Sequence, residues 1–210
     1  MNTAPINPDH DTPHTYGLVK SWMSECQNRH GKRRPVFDQG PSRLLRIRKL
    51  ADGYNLMLLD NADTHLMDYV ALSYCWGGDQ PYMTPKASYD STGTIIPYGK
   101  LPQTLQDAIK VTTELGYSCI WVDSLCIIQD CPMDKSREIA KMPSIYNNAI
   151  VTIAAATAAS TLEGFLQKRT TTRPIISNVR FQDGTLQVHD GGMVQLDTYR
   201  CGTLPLHSRA

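Results

Sequence analysis

Asp123 closes an apolar run, Cys119-Ile120-Trp121-Val122, and is followed by Ser124, Cys126, Gln129 and Asp130. A carboxylate at the end of so apolar a strand must be paired or heavily hydrogen-bonded to stay ionised. Such a group is either a cap acceptor for the next helix or a member of a site. Glu138 lies four residues beyond Asp134 on the segment that follows. It faces the same crevice only if that helix turns its polar stripe inward, and otherwise it pairs in solvent with Lys135 or Arg137.

Tyr74 and Trp76 flank the start of a glycine-rich loop at Gly77-Gly78. The aromatic pair could stack on a planar ligand such as a nucleobase or serve as core, and the glycines could cradle an anion or simply turn the chain. Cys126 and Cys75 are candidate nucleophiles, but a reactive thiol needs a base, and all six histidines are remote in sequence. Buried structural thiols are the alternative for both. Trp22, Cys26 and His30 recur at helical spacing, which would put Cys26 and His30 on one face as two zinc ligands where a structural site wants four. The basic stretch Arg29 to Arg34 is either an anion contact or a solvated face. The chain has no GxGxxG, GxxxxGK[ST], HExxH, GxSxG or CxxC motif, which removes most common enzyme classes.

The elements that must position these groups follow from periodicity. The polar residues 1–15 read as a loose tail, and a short helix is predicted over Thr15 to Cys26. Ser42 to Lys49 and Tyr54 to Leu59, joined at Asp52-Gly53, predict a peripheral hairpin. Tyr69 to Tyr74 reads as a buried strand feeding an irregular connection from Gly77 to Lys100. A helix follows from Leu101, with Leu105, Ala108, Ile109, Thr112 and Leu115 on one stripe and Gly116 as its stop.

Cys119 to Val122 is then a central strand, and Asp134 to Met142 a helix that Pro143 must kink or restart. After a break at Asn147-Asn148, Ala149 to Ala156 predicts a third buried strand. The alternation gives an α/β core with a central, mostly parallel sheet, flanking helices and peripheral hairpins, polar groups lining the carboxyl ends of the strands. A last antiparallel hairpin is expected between Arg173 and His189 around Asp183-Gly184. The organisation read from this is a tail and short helix over 1–41, a hairpin over 42–68, a core over 69–166 and a flank over 167–210.

The 210 residues carry 21 Lys plus Arg against 20 Asp plus Glu, and near-zero net charge argues against a dedicated nucleic-acid binder. A chain of this length can bury about two-thirds of its unfolded surface without a disulfide or metal. Its longest apolar stretch, Ala149 to Ala159, is half the length of a membrane span. Met1 to His14 lacks the pattern of a secretory signal, and six scattered cysteines suit reduced thiols, so a cytoplasmic protein is expected.

Four segments, in order, resemble the fungal heterokaryon incompatibility (HET) domain: Tyr69-Val70-Ala71-Leu72-Ser73-Tyr74-Cys75-Trp76-Gly77, Leu101-Pro102-Gln103-Thr104-Leu105-Gln106-Asp107-Ala108-Ile109 with Leu115-Gly116, Ile120 to Asp130, and Met142 with Ile145-Tyr146-Asn147-Asn148-Ala149. The resemblance covers about Tyr69 to Phe165. It implies non-self recognition between fungal individuals, with the domain as a cell-death effector triggered by a sensor or partner protein, with homo-oligomers an option. The HET domain is itself distantly similar to the TIR fold, a flavodoxin-like sheet, some members of which cleave NAD through a glutamate.

Carried onto this chain, the resemblance implies Glu138 acting on the ribose with Asp123 holding a hydroxyl, and Ser73, Tyr74, Trp76, Gly77 and Cys126 around the ligand. Glu163 is the rival carboxylate by the order of strands in the TIR fold. NAD enters as substrate, and no cofactor, metal, nucleic acid or membrane span is expected. The other implied readings are a non-enzymatic oligomerising death adaptor and an inactive short paralogue, since relatives continue past the equivalent of Ala210 and carry a Cys or His where Arg33 and Arg34 stand.

Overall fold

A computed structural model describes residues 9–30, 40–60, 67–90, 93–168, 179–181 and 184–186. The chain divides into two compact units, His10–Gln167 and a second made of Met1–Asp9 with Lys168–Ala210. Among the described residues, the first holds a six-stranded sheet and four α-helices.

Strands β1 (Arg43–Leu50) and β2 (Gly53–Asp60) form the expected hairpin, Gly53 taking a φ of 137° at its turn. It is not peripheral. β1 lies inside the sheet, between β2 and β5 (Cys119–Trp121), in the order β4-β2-β1-β5-β3-β6, where β3 is Val70–Ser73, β4 Thr94–Ile96 and β6 Val151–Ala154. The reason is visible in adjacent residues: Leu44 and Leu45 point to opposite faces and both are fully buried, so β1 needs cover on both sides.

This placement corrects the expectation of a mostly parallel sheet. β3 pairs in parallel with β5 and β6, whereas β1–β2, β1–β5 and β2–β4 are antiparallel. The sheet is mixed, and the parallel character is confined to the β5-β3-β6 trio. The chain runs from β3 to β5 on one side and then, through α3 and α4, from β5 across to β6 on the other side of β3, and this reversal brings the carboxyl ends of the three strands to one crevice. β6 is an edge strand of alternating burial rather than a buried one.

Helix α1 (Pro13–His30) is longer than its apolar pattern predicted and mostly exposed. Helix α2 (Gln103–Glu114) buries Leu105, Ala108, Ile109 and Thr112 and packs on β1 and β5. It ends at Gly116, whose φ of 94° turns the chain toward β5. A single helical turn, α3 (Asp123–Cys126), follows β5, and α4 (Pro132–Asn148) leads to β6. Pro143 neither ends nor restarts α4: the bond it cannot donate would run to Ile139, and both residues are exposed.

Trp121, wholly buried, meets Tyr146 of α4 edge-on with ring centroids 5.5 Å apart, and Tyr69 Oη donates to Ile145 O at 2.6 Å. Each such large side chain contributes about 1.5–3 kcal/mol through burial. These contacts seat α4 against the parallel trio.

In the second unit, β7 (Val179–Phe181) and β8 (Gly184–Leu186) pair antiparallel, within the span predicted as a hairpin. The rest of that span, the first eight residues and the stretch from Lys32 to Arg34 lie outside the described residues. No helix among the described residues is long and apolar enough to cross a membrane.

Candidate functional site

The strand ends bring three of the expected residues together. β5 delivers Asp123 as the first residue of α3, because Val122 is still extended while Asp123 is already helical. One carboxylate oxygen, Oδ1, accepts the Ser124 backbone N–H at 2.6 Å and Tyr74 Oη at 2.8 Å. The other, Oδ2, accepts Trp76 Nε1 at 3.0 Å. Tyr74 and Trp76 reach it from the loop that leaves β3, the strand beside β5.

Tyr74 Oη also lies 2.9 Å from Ser124 Oγ. A phenol has one proton, which goes to the carboxylate, so the Ser124 hydroxyl donates back to the phenol oxygen. Burial and then the Asp123 charge push the Tyr74 hydroxyl far above its ordinary range. Asp123 itself is pushed up by burial, against the pull of the hydrogen bonds from Tyr74, the Ser124 N–H and Trp76. The result is a partly buried carboxylate with a raised affinity for protons, bordered by two aromatic rings.

The loop carrying Trp76 is held at both ends. Gly77, at φ 68°, passes so close to the segment after β6 that a Cβ there would sit 2.5 Å from Ser160 Cβ and 2.7 Å from Ala159 O. Gln80 Nε2 donates to the carbonyls of Trp76 (3.2 Å) and Gly78 (3.4 Å). Further on, Thr84 N donates to Ser124 O at 3.3 Å, and Lys86 N to Asp130 Oδ1 at 2.7 Å. The connection therefore lies alongside α3, and Gln129 Nε2, donating to Asp123 O at 3.0 Å, braces the same turn.

Glu138 is not part of this arrangement. It is fully buried, and its carboxylate accepts the Ser42 hydroxyl and backbone N–H, the latter at 3.1 Å, with Lys141 Nζ at 3.2 Å and Arg137 Nε at 3.5 Å. Beside it, Arg43 donates to Asp134 and, at 2.7 Å, to Cys126 O, while its guanidinium lies 5.3 Å from the centre of the Tyr89 ring. Asp134 also accepts the Ile128 N–H at 2.9 Å. Burial would raise Asp134, but the Arg43 hydrogen bond, the Ile128 N–H and the charges of Arg43 and Arg137 hold it below the usual carboxylate range. This network ties the start of β1 to α3 and α4.

Of the other expected residues, Ser73 ends β3 exposed, and Gly77 wedges the loop. Cys126 is in the core, where burial pushes its thiol up to about 12 and leaves it inert at neutral pH. Cys75 is exposed, not buried. Glu163 is exposed on the loop after β6, its Oε2 accepting the Ala159 N–H at 2.9 Å. Cys26 is exposed on α1, and no group of three or more His, Cys, Asp or Glu among the described residues is placed to hold a metal.

Ser42, Arg43, Lys141 and Asp107 were not among the residues expected at the site. Asp107 Oδ2 accepts the N–H groups of Phe165 (2.7 Å) and Leu166 (3.1 Å), binding α2 to the loop after β6. Its only sequence signal was a carboxylate on the buried stripe of α2, one residue before Ala108.

Fold and site together define a mixed α/β domain with a hydrogen-bonded acidic and aromatic cluster at the carboxyl ends of its parallel strands. The family model for the heterokaryon incompatibility protein (HET) matches residues 69–201, well over half of the chain, which belongs to that family. Its function is accordingly one related to heterokaryon incompatibility. No curated protein and no solved structure matches the chain, so the distant TIR likeness has no such match behind it.

Proposed function

We propose that this chain is an effector of fungal non-self recognition that promotes cell death in the cytoplasm when a sensor or partner protein engages it, and that it acts by hydrolysing NAD at Asp123. The observation that carries the chemistry is the Asp123 carboxylate, partly buried and bracketed by Tyr74 and Trp76 at the mouth of the parallel trio. Glu138 is fully buried and ion-paired with Lys141, whereas Asp123 is only partly buried and takes hydrogen bonds from neutral donors alone, which favours Asp123 for the role first expected of Glu138.

In this reaction the bond between ribose C1′ and the pyridinium nitrogen breaks, and its electron pair neutralises the ring, which leaves as nicotinamide. The oxocarbenium-like ribose is stabilised by the carboxylate, and water adds at C1′ while Asp123 takes its proton. The rings of Tyr74 and Trp76 border the departing nicotinamide. Ser124, by orienting Tyr74, keeps the carboxylate in place.

The experiment is nicotinamide release from NAD by the full chain, beside Asp123→Asn and Glu138→Gln. The proposal expects Asp123→Asn to lose at least ~100-fold in rate with its circular dichroism unchanged. Release by the folded Asp123→Asn protein at the wild-type rate would overturn it.

One observation favours the adaptor reading. The apolar stripe of α2 is buried, but Leu18 and Trp22, the latter 63% exposed, share a face of α1. Self-association lost in Trp22→Ser, with no NAD turnover in wild type, would move the function to that surface.

A further inference from the structure

β6 ends the six-stranded sheet, and among the described residues no strand lies beyond it. Its inner side is set by the parallel ladder with β3, in which Ile150 N donates to Tyr69 O at 2.9 Å and Ala71 stands opposite Thr152. Backbone groups alternate in direction along a strand, so those of Val151 and Ile153 point away from β3. Among the described residues they have no partner.

An open edge is a template for another strand, and folded proteins usually blunt it with a charge, a proline or a very short strand. The opposite edge of this sheet is blunted: β4 is three residues long and Pro97 follows it directly. β6 has no such guard. No Asp, Glu, Lys or Arg stands between Lys141 and Glu163, and no proline between Pro143 and Pro174. Ala149-Ile150-Val151-Thr152-Ile153-Ala154-Ala155 is an uncharged run rich in β-branched residues, the composition of a strand that pairs with its own kind.

Charge also decides which partner fits. In a two-fold interface the same patch meets itself, so a charge near its centre would face its own copy, and this edge carries none. We infer that the β6 edge pairs with the β6 edge of a second copy of this chain, antiparallel and centred on Thr152. In that register Val151 stands opposite the partner's Ile153, and both such pairs exchange N–H···O=C bonds in each direction. Thr152 faces the partner's Thr152 on the exposed face, a favourable cross-strand pair, while the half-buried Val151 and Ile153 side chains meet on the other. Each copy uses its one open edge, so assembly closes at a dimer instead of growing into a fibre.

The test is sedimentation equilibrium of the full chain, with Thr152→Lys and Thr152→Glu measured alone and mixed. Wild type is expected at twice the 23.5 kDa of one chain, with monomer recovered on dilution. Thr152 is exposed, so both variants keep the fold, which circular dichroism checks. Each alone sets like charges against one another and is expected to raise the dimer Kd by at least about tenfold. Mixing them sets Lys against Glu and is expected to restore a mixed dimer, which variants that merely disturbed the strand could not form.

A wild-type chain that stays monomeric at high concentration overturns the pairing, whether the edge is bare or taken by another segment. So does a dimer that both variants keep, including one that Trp22→Ser abolishes, which would place the second copy on α1. A dimer lost in each variant and not regained on mixing overturns it as well, because residue 152 then does not face itself. None of these readouts uses NAD, so they stand apart from the hydrolase reading.

Discussion

Trp76 Nε1 donates to Asp123 Oδ2 across 3.0 Å, and this bond joins the glycine loop after β3 to the first residue of α3. Together with Tyr74 on Oδ1 it leaves neither carboxylate oxygen without a donor. The bond is both a fold contact and an electrostatic setting, since it favours the ionised form of a carboxyl that burial pushes the other way.

Trp76→Phe keeps an aromatic ring and removes only the indole donor. The expected outcome is a loss of about 1–2 kcal/mol of stability, since a hydrogen bond to a charged group disappears. Because the Trp76 bond lowers the Asp123 pKa, its removal should raise that pKa further. Carboxyl chemical shifts followed through a pH titration would read this, and an unchanged midpoint would show that the bond does not form in solution.

Glu138→Ala removes the carboxylate partner of Lys141 and strands the Ser42 hydroxyl and N–H. Removing one member of a buried ion pair typically costs about 3–5 kcal/mol. Urea denaturation should show that loss, with Glu138→Gln falling between the two because it still accepts from Ser42. If Glu138 instead acts on substrate, the variant will be stable and inactive, the reverse of what its burial implies.

Asp134 and Asp123 should drive stability with pH in opposite directions. Asp134 is held below the usual carboxylate range in the folded chain, so the unfolded chain binds its proton first. Its contribution is full above the unfolded value of about pH 4 and is lost as pH falls through the lower folded value. Asp123 is raised, so the folded chain protonates first, and acidification toward the unfolded value relieves its penalty. Melting temperatures between about pH 3 and 6 should therefore fall less steeply on acidification in Asp134→Asn than in wild type, and more steeply in Asp123→Asn.

The elements that the residues announced were those with strong local patterns. α2 was legible because Leu105, Ala108, Ile109 and Thr112 fall on one stripe and Gly116 stops it, and Asp123 stood out because a carboxylate ends an apolar strand. The topology was not legible, because pairing between β1 and β5 joins residues far apart in the chain and leaves no local period. The adjacent Leu44-Leu45 pair was the one hint that β1 is covered on both faces. Likewise Ser42, which bonds Glu138, is distant in sequence, and its near partners Arg137 and Lys141 suit a solvated pairing equally well, so nothing near Glu138 disclosed that it is buried. Of the two outcomes expected at Pro143, a restart is not seen, since α4 runs through it from Pro132 to Asn148.

Gly77 is the position where backbone and site are most tightly linked. Its φ of 68° is left-handed, which alone costs a side-chain-bearing residue about 1–2 kcal/mol. A Cβ would also meet Ser160 Cα at 2.6 Å and Ala159 O at 2.7 Å, both backbone atoms that cannot rotate away. Gly77→Ala must therefore push the loop off the segment after β6, and with it the neighbouring Trp76. The expected result is a destabilisation of more than about 2 kcal/mol together with a changed tryptophan fluorescence. Trimming the opposing side chain in Ser160→Gly should give little rescue, because the nearest obstacles that remain are main-chain. Full rescue would mean that the contact is between side chains only, and that the loop carrying Trp76 can shift without disturbing Asp123.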